Sequence, residues 1–188
     1  MVHRRSGSLT AALIAGTASA LADSFDADAL TLGTVTAGRA GAATESVLGY
    51  LVNPLTLRLG RLRSAGLPDV LAEVVKRMGA AVTHSATPFD ELVRLLSTDR
   101  ERHPWFQAWS VLQLAPPHVE LAEGVRIDAV RIRPPRTSIE FVAEAFPQPD
   151  QGWSLVQAWR EDGMDDSTAT GVLERLESAL HRIADLAV

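Results

Sequence analysis

The chain has 188 residues, of which 46% are hydrophobic and 22% are charged, and these values fit one globular domain with a sizeable core. A net charge of −5 at pH 7 argues against nucleic acid as the main partner, because phosphate neutralisation needs a basic surface, and no apolar run is long enough to span a membrane. Cysteine is absent, which excludes disulfides, thiolate catalysis and cysteine-ligated metals.

The first 24 residues allow two interpretations. A basic start, a mildly apolar middle and an Ala-Ser-Ala sequence resemble a secretory signal with its cleavage site. The other interpretation is a helix capped near Ser8 and ended by the polar pair Asp23-Ser24, with leucines 9, 13 and 21 turned inward. Gly16 and Thr17 make a poor apolar region for a signal, so we expect the helix, in a cytoplasmic protein.

Hydrophobic periodicity predicts the remaining elements in chain order. Strands are expected within 29–39, 49–59, 107–114, 125–133, 137–146 and 153–161, helices within 67–84, 87–97 and 166–188, and a glycine-alanine loop over 37–46. In the strand at 125–133 the alternation slips at Ala129-Val130, which suggests a bulge. Partly consecutive strands between helices predict one α/β (α+β) sandwich, in which helices cover a mixed sheet.

Two of the predicted helices carry clear signals. In the helix at 87–97, Thr87 can cap the first turn and Pro88 fits it. The last helix carries an apolar stripe formed by Val172, Leu173, Leu176, Leu180 and Ile183, and the helix at 67–84 carries one formed by Val70, Leu71, Val74, Val75 and Met78.

The strand at 49–59 contains a polar residue on its apolar face. Alternation places Asn53 on the same side as leucines 51, 55, 57 and 59. A buried amide without partners costs about 1–3 kcal/mol, so we expect hydrogen-bond partners for Asn53.

Motifs for several enzyme classes are missing. The sequence has no HExxH, P-loop, GxGxxG or GxSxG motif, so we expect no metal site and no nucleotide site. The sequence HVE at His118 matches one piece of a zinc deaminase motif, but the required cysteines are absent. His84, Ser85 and Asp90 are close in sequence, yet this is not the geometry of a triad. His84 is better explained as the end of its helix, where a cation is favoured.

The arginines and tryptophans have ordinary structural explanations. Arg126, Arg131, Arg133 and Arg136 are close enough to bind phosphate. We favour the polar face of a strand, because the chain is negatively charged overall. Tryptophans 105, 109, 153 and 159 are expected to be core and edge aromatics rather than a stacking platform.

Three segments stand in a fixed order: VLGYLVNPLTLR (47–58), HSATPFDELV (84–93) and DRERHPWFQ (99–107). The first resembles the motif iGxFVNTxxxR of the condensation domains of nonribosomal peptide synthetases. The second resembles the PFE/PFD motif that follows it in that family, and the third resembles the next motif, RDxSRxPLFQ. The preceding GTVTAGR agrees in position. The resemblance covers essentially the whole chain, as the C-terminal lobe of that domain.

The resemblance implies half of an active site. Family members have two chloramphenicol-acetyltransferase-like lobes around a substrate tunnel, and the catalytic motif HHxxxDG belongs to the N-terminal lobe, which nothing here matches. We therefore expect no catalytic residue in this chain and a crossover to the other lobe at 115–136. By resemblance, the residues at the tunnel or lobe junction are Gly38, Arg39, Gly49, Asn53 and Arg58, and the residues that support the motifs are Pro88, Phe89, Asp90, Arg102, Pro104, Phe106 and Gln107.

The implied reaction forms an amide between substrates on carrier proteins. The expected partners are the missing N-terminal lobe and peptidyl carrier proteins, which present phosphopantetheine; no cofactor is expected on the chain itself, and a homodimer is open. Pro54 and Ser138 depart from the family pattern, which leaves room for a degenerate or specialised domain. The alternatives are a module that docks carriers or self-associates without catalysis, and half of a related acyltransferase or epimerisation domain.

Overall fold

The computed structural model describes residues 9–39, 42–96, 105–113, 119–122, 125–127, 137–148 and 152–186. Its helices are α1 (Leu9–Phe25), α2 (Ala42–Glu45), α3 (Leu67–Thr83), α4 (Phe89–Leu96) and α5 (Asp166–Asp185). Its strands are β1 (Ala29–Thr36), β2 (Asn53–Gly60), β3 (Ala108–Leu112), β4 (Val119–Ala122), β5 (Val125–Ile127), β6 (Phe141–Pro147) and β7 (Trp153–Trp159).

The main sheet is mixed, as the sequence predicts. Its strand order is β2-β1-β3-β6-β7, with β1, β3 and β6 parallel and the two outer pairs antiparallel. The strands β4 and β5 form a separate antiparallel pair with an irregularity between Glu120 and Ala122. The sequence did not predict β4, and the bulge predicted at 129–130 lies outside the described residues.

The core lies between one face of the sheet and the helices α1, α3 and α5. Residues 9–25 form the predicted helix, which is buried around most of its circumference, whereas the predicted cap at Ser8 lies outside the described residues. The helix α1 is rich in alanine and contains Gly16, at which a Cβ atom would meet the side chains of Leu176 and Leu180 of α5. Small side chains let α1 approach its neighbours closely on several sides.

The apolar stripe of α5 differs in detail from the predicted one. The buried residues are Ala169, Val172, Leu176, Ala179 and Ile183. The predicted residues Leu173 and Leu180 are only half-buried, because they flank this line. In α3 the correction is similar, since Val75 is 40% exposed and Met78 lies at the margin of the core.

Three further predictions can be compared with the structure. The glycine-alanine segment contains the short helix α2, so it is not purely a loop. Alternation in β2 is confirmed, because Leu55, Leu57 and Leu59 are buried whereas Arg58 is exposed. No helix in the described ranges is both long and apolar enough to cross a membrane.

Candidate functional site

Asn53 begins β2 and makes three hydrogen bonds with the segment that connects α3 to α4. Its Nδ2 donates to the carbonyl oxygens of Ser85 and Thr87, each at 2.9 Å. Its Oδ1 accepts the backbone N–H of Phe89, also at 2.9 Å. We call this arrangement the Asn53 clamp. It confirms the prediction that the Asn53 amide, on the apolar face of β2, has hydrogen-bond partners.

The Asn53 clamp also changes the expected cap of α4. The backbone N–H of Phe89, the first residue of this helix, is accepted by Asn53 rather than by the predicted Thr87. The cap of α4 therefore comes from a strand that is distant in sequence. Pro88 directly precedes the helix, and its carbonyl oxygen accepts the backbone N–H groups of Glu91 and Leu92. A cap of this kind ties the position of α4 to the start of β2.

The α3–α4 connection does not form a catalytic triad. His84 is the C-cap of α3 and its backbone N–H donates to the carbonyl of Ala81, in agreement with the prediction that it ends the helix. In the described part of the chain no hydrogen bond joins the side chains of His84, Ser85 and Asp90. No group of three or more His, Asp or Glu side chains suited to a metal occurs among the residues that the structure describes.

Arg39 holds the loop that leads into β2. Its guanidinium donates to the carbonyls of Thr44, Val47 and Gly49 at 2.9, 2.7 and 3.1 Å. We call residues 42–50 the Arg39 loop. It presents Leu48 and Tyr50 to solvent, at 102% and 85% exposure. An arginine thus fixes the shape of a loop whose large apolar side chains have no cover among the described residues.

Gly38 is required by the same region. Its φ is +64°, and a Cβ at this position would lie 1.8 Å from the carbonyl oxygen of Leu51. Only glycine combines this left-handed backbone conformation with so close an approach between the segment after β1 and the segment before β2. Gly49 is different, because a Cβ there would meet nothing within 4 Å, so its contribution in this structure is its carbonyl.

Aromatic rings connect the second and third motif segments. The ring of Phe89 lies 5.5 Å from that of Trp105 in an edge arrangement and 5.8 Å from that of Phe106. Phe106 is fully buried and its ring lies 5.2 Å from that of Trp109. These distances are typical of favourable aromatic pairs. Through Asn53, Phe89 and Phe106, the three segments of the resemblance meet at one place.

Gly33 and Trp105 belong to this cluster although neither was predicted as a site residue, and Trp105 was expected only as a core or edge aromatic. A Cβ on Gly33 would lie 2.4 Å from the ring of Phe106 and 2.5 Å from that of Trp109, so the glycine makes room for the rings. A glycine inside a strand is the available signal for such a contact. Trp105 has φ +73°, a strained conformation for a bulky residue, and no sequence pattern indicated it.

The structure describes three further predicted site residues, Arg58, Asp90 and Gln107. Arg58 is exposed on the opposite face of β2 from Asn53, and Asp90 is exposed in the first turn of α4. The carbonyl of Gln107 accepts the N–H of Phe141, which ties β3 to β6. Arg102 and Pro104 lie outside the described residues, as do Arg131, Arg133, Arg136 and the side chain of Arg126.

A family model matches nearly the whole chain. The model of the Condensation domain matches residues 3–187. The chain belongs to the condensation-domain family. The family predicted from the three motif segments is therefore confirmed, and so is the mixed α/β sheet, which the solved condensation domains share.

Individual relatives agree with this assignment. The chain is 31% identical to a protein of Salinispora arenicola (strain CNS-205) named "Probable non-canonical nonribosomal peptide synthetase (NRPS) CymA", in an alignment of 197 positions that covers 98% of the chain. It is 39% identical over 88 residues to tyrocidine synthase 2 of Brevibacillus parabrevis, covering 46% of the chain. The chain spans only 2% of the length of each of these relatives.

The solved structures show how much of a condensation domain the chain matches. The starter condensation domain of the rhizomide synthetase RzmA superposes with a TM-score of 0.75 at 15% identity, over 94% of this chain and 42% of that one. The family fold therefore accounts for nearly all of the chain, whereas the chain accounts for about two fifths of that structure.

Proposed function

We propose that these residues are the C-terminal lobe of a condensation domain that forms amide bonds between substrates held on carrier proteins. The observation that carries the proposal is the unequal coverage, 94% of this chain against 42% of a condensation-domain structure. The three motif segments, which the Asn53 clamp and the aromatic cluster bring together, support it. The sequence contains no HHxxxDG, so the catalytic histidine would belong to another lobe.

The proposed reaction is attack of an acceptor amine on the carbonyl carbon of a donor thioester. The new C–N bond forms as the C–S bond breaks, and the proton lost by the amine is balanced by the proton that the released phosphopantetheine thiol gains. A histidine of the other lobe would assist this transfer. Of the histidines that the structure describes, His84 ends α3 and His181 is exposed on α5 beside Glu177, and we assign the catalytic step to neither.

The contribution of this lobe would be positioning. The Arg39 loop has the exposed leucine and tyrosine of a surface that another lobe covers, and its carbonyls are fixed by one guanidinium. The Asn53 clamp fixes the neighbouring α4. Holding two carrier-bound substrates in line accelerates a bimolecular step strongly, so a displaced loop lowers the rate without any loss of a reactive group.

A two-polypeptide reconstitution tests the proposal. The 188-residue chain and a separately produced lobe bearing HHxxxDG are mixed with two loaded carrier proteins, and the carrier-bound products are followed by mass spectrometry. We expect amide product from the mixture and none from this chain alone. Arg39→Ala should lower the yield about tenfold or more, because it releases the loop. Arg182→Ala is the matched control, since it removes an equal charge from an exposed position on α5, outside the three motif segments.

The other outcomes discriminate among the alternatives. Product from residues 1–188 alone would contradict the half-site proposal and favour a complete acyltransferase. Binding of carrier proteins without product, with any lobe supplied, would favour a docking module. An equal loss in Arg39→Ala and Arg182→Ala would show that net charge, rather than the geometry of the Arg39 loop, determines the yield.

A further inference from the structure

The two edges of the main sheet differ in their protection. The edge strand β2 contains Pro54 and Arg58, and natural sheets use prolines and charges to prevent pairing with other chains. The opposite edge strand, β7, has the sequence WSLVQAW, with no proline and no charge. It pairs with β6 in one unbroken register along its full length. This edge therefore lacks the usual sequence barriers to strand addition.

The hydrogen-bonding groups on the outer side of β7 can be identified. At the two ends of the β6–β7 ladder, the N–H of Arg160 donates to Glu140 and the carbonyl of Gly152 accepts from Gln148. In an antiparallel pair, alternate residues bond to the partner strand, so the even-numbered residues of β7 face β6. The outward N–H and C=O groups belong to Trp153, Leu155, Gln157 and Trp159. Within the described ranges, β7 pairs with β6 alone.

The sequence of β7, WSLVQAW, has a partial symmetry about its centre, Val156. Tryptophan stands at both ends, the small residues Ser154 and Ala158 are symmetric about the centre, and Leu155 matches Gln157 in length. We propose that β7 pairs antiparallel with β7 of a second copy, with the twofold axis at Val156. The outward residues of one copy then meet outward residues of the other, and each such pair exchanges both hydrogen bonds.

A second copy fits this edge better than an unrelated strand for two reasons. The twofold arrangement opposes Trp153 to Trp159 of the other copy and small side chains to small ones, and aromatic cross-strand pairs are favourable. The strand carries no charge, so two chains of net charge −5 meet here without like charges in direct opposition. The strand order places β7 at the opposite sheet edge from β2 and Asn53, so the proposed lobe junction stays accessible.

Cysteine crosslinking tests the register directly, because the chain has no cysteine of its own. In the proposed dimer Val156 faces its own copy in a non-hydrogen-bonded pair with Cα atoms about 4.5 Å apart, a separation that permits a disulfide. Under mild oxidation, Val156→Cys should give a disulfide-linked dimer on a non-reducing gel. Ala158→Cys is the matched control on the same face, since it faces Ser154, and should stay uncrosslinked. A mixture of Ser154→Cys and Ala158→Cys should form the heterodimer.

Sedimentation of the unmodified 188-residue chain supplies an independent measurement. We expect a dimer that increases with concentration, is lost in Val156→Lys and is retained in Ala158→Lys, because only the first substitution opposes two like charges across the axis. Circular dichroism of each variant confirms that the monomer is folded. A purely monomeric unmodified chain would overturn the proposal. Equal crosslinking at positions 156 and 158 would also overturn it, because random collisions give that result.

Discussion

Removing the Asn53 side chain gives the sharpest test of the Asn53 clamp. In Asn53→Ala the Phe89 N–H and two carbonyls lose partners at 2.9 Å. A hydrogen bond contributes about 1 kcal/mol net, and loss of a helix cap typically costs about 1 kcal/mol. Because Asn53 is only half-buried, water replaces part of the loss. We therefore expect the free energy of unfolding to fall by about 2 kcal/mol.

Urea denaturation measures this loss, and amide hydrogen exchange at Phe89 locates it. Asn53→Asp separates the two parts of the Asn53 clamp, since it keeps the oxygen that caps α4 but opposes a second oxygen to the carbonyls of Ser85 and Thr87. It should also be destabilised at pH 7. A loss below about 0.5 kcal/mol in Asn53→Ala, with unchanged exchange at Phe89, would show that water satisfies all three groups and would refute the reasoning.

Three further predictions concern the sheet and α5. Gly33→Ala forces a methyl group into two aromatic rings and should cost about 1–3 kcal/mol, whereas Gly60→Ala, which meets nothing within 4 Å, should change the free energy of unfolding by less than about 0.5 kcal/mol in urea melts. Leu176→Ala should cost about 2–5 kcal/mol because this side chain is 1% exposed, and half-buried Leu173→Ala should cost clearly less in the same assay; equal losses would contradict the observed stripe. The hydrogen bond from the Thr168 N–H, together with those from neighbouring hydroxyls, lowers the pKa of Asp165 in the folded protein. The stabilisation of the fold by this cap is therefore complete above the ordinary carboxyl pKa of about 3.9, and it is lost as the pH falls through the lower pKa of the folded state. Thermal melts from pH 7 to 2 should show this acid-dependent part disappear in Asp165→Ala, and an unchanged profile would count against the cap.

Periodicity in the sequence predicted the elements of the main sheet and the long helices because burial on one face leaves a repeating pattern. It failed where alanine fills the core. Ala169 and Ala179 are buried in α5, but an alanine is not recognised as a core residue, so the predicted stripe shifted towards Leu173 and Leu180. The phase of a helix is therefore less certain when small residues make its closest contacts.

The sequence predicted that Asn53 has hydrogen-bond partners but did not predict which groups they are. The position of Asn53 on a leucine face demanded hydrogen bonds, yet backbone carbonyls such as those of Ser85 and Thr87 leave no mark in a sequence. The expected cap from Thr87 was wrong, because the Oδ1 of Asn53, from a strand distant in sequence, accepts the N–H of Phe89. The positive φ of Trp105 is likewise set by packing, which no local pattern encodes.

The packing of α1 against α5 has a consequence for synthesis of the chain. The helix α1 ends at Phe25, but α5, one of the elements that cover it, begins only at Asp166. During translation the side of α1 that packs on α5 stays uncovered until residues 166–185 have been synthesised, and an exposed apolar surface of this kind invites aggregation or chaperone binding. Residues 9–25 and 166–185, which are far apart in sequence, must meet before the core closes, so loss of α5 should prevent folding of the whole unit rather than shorten it.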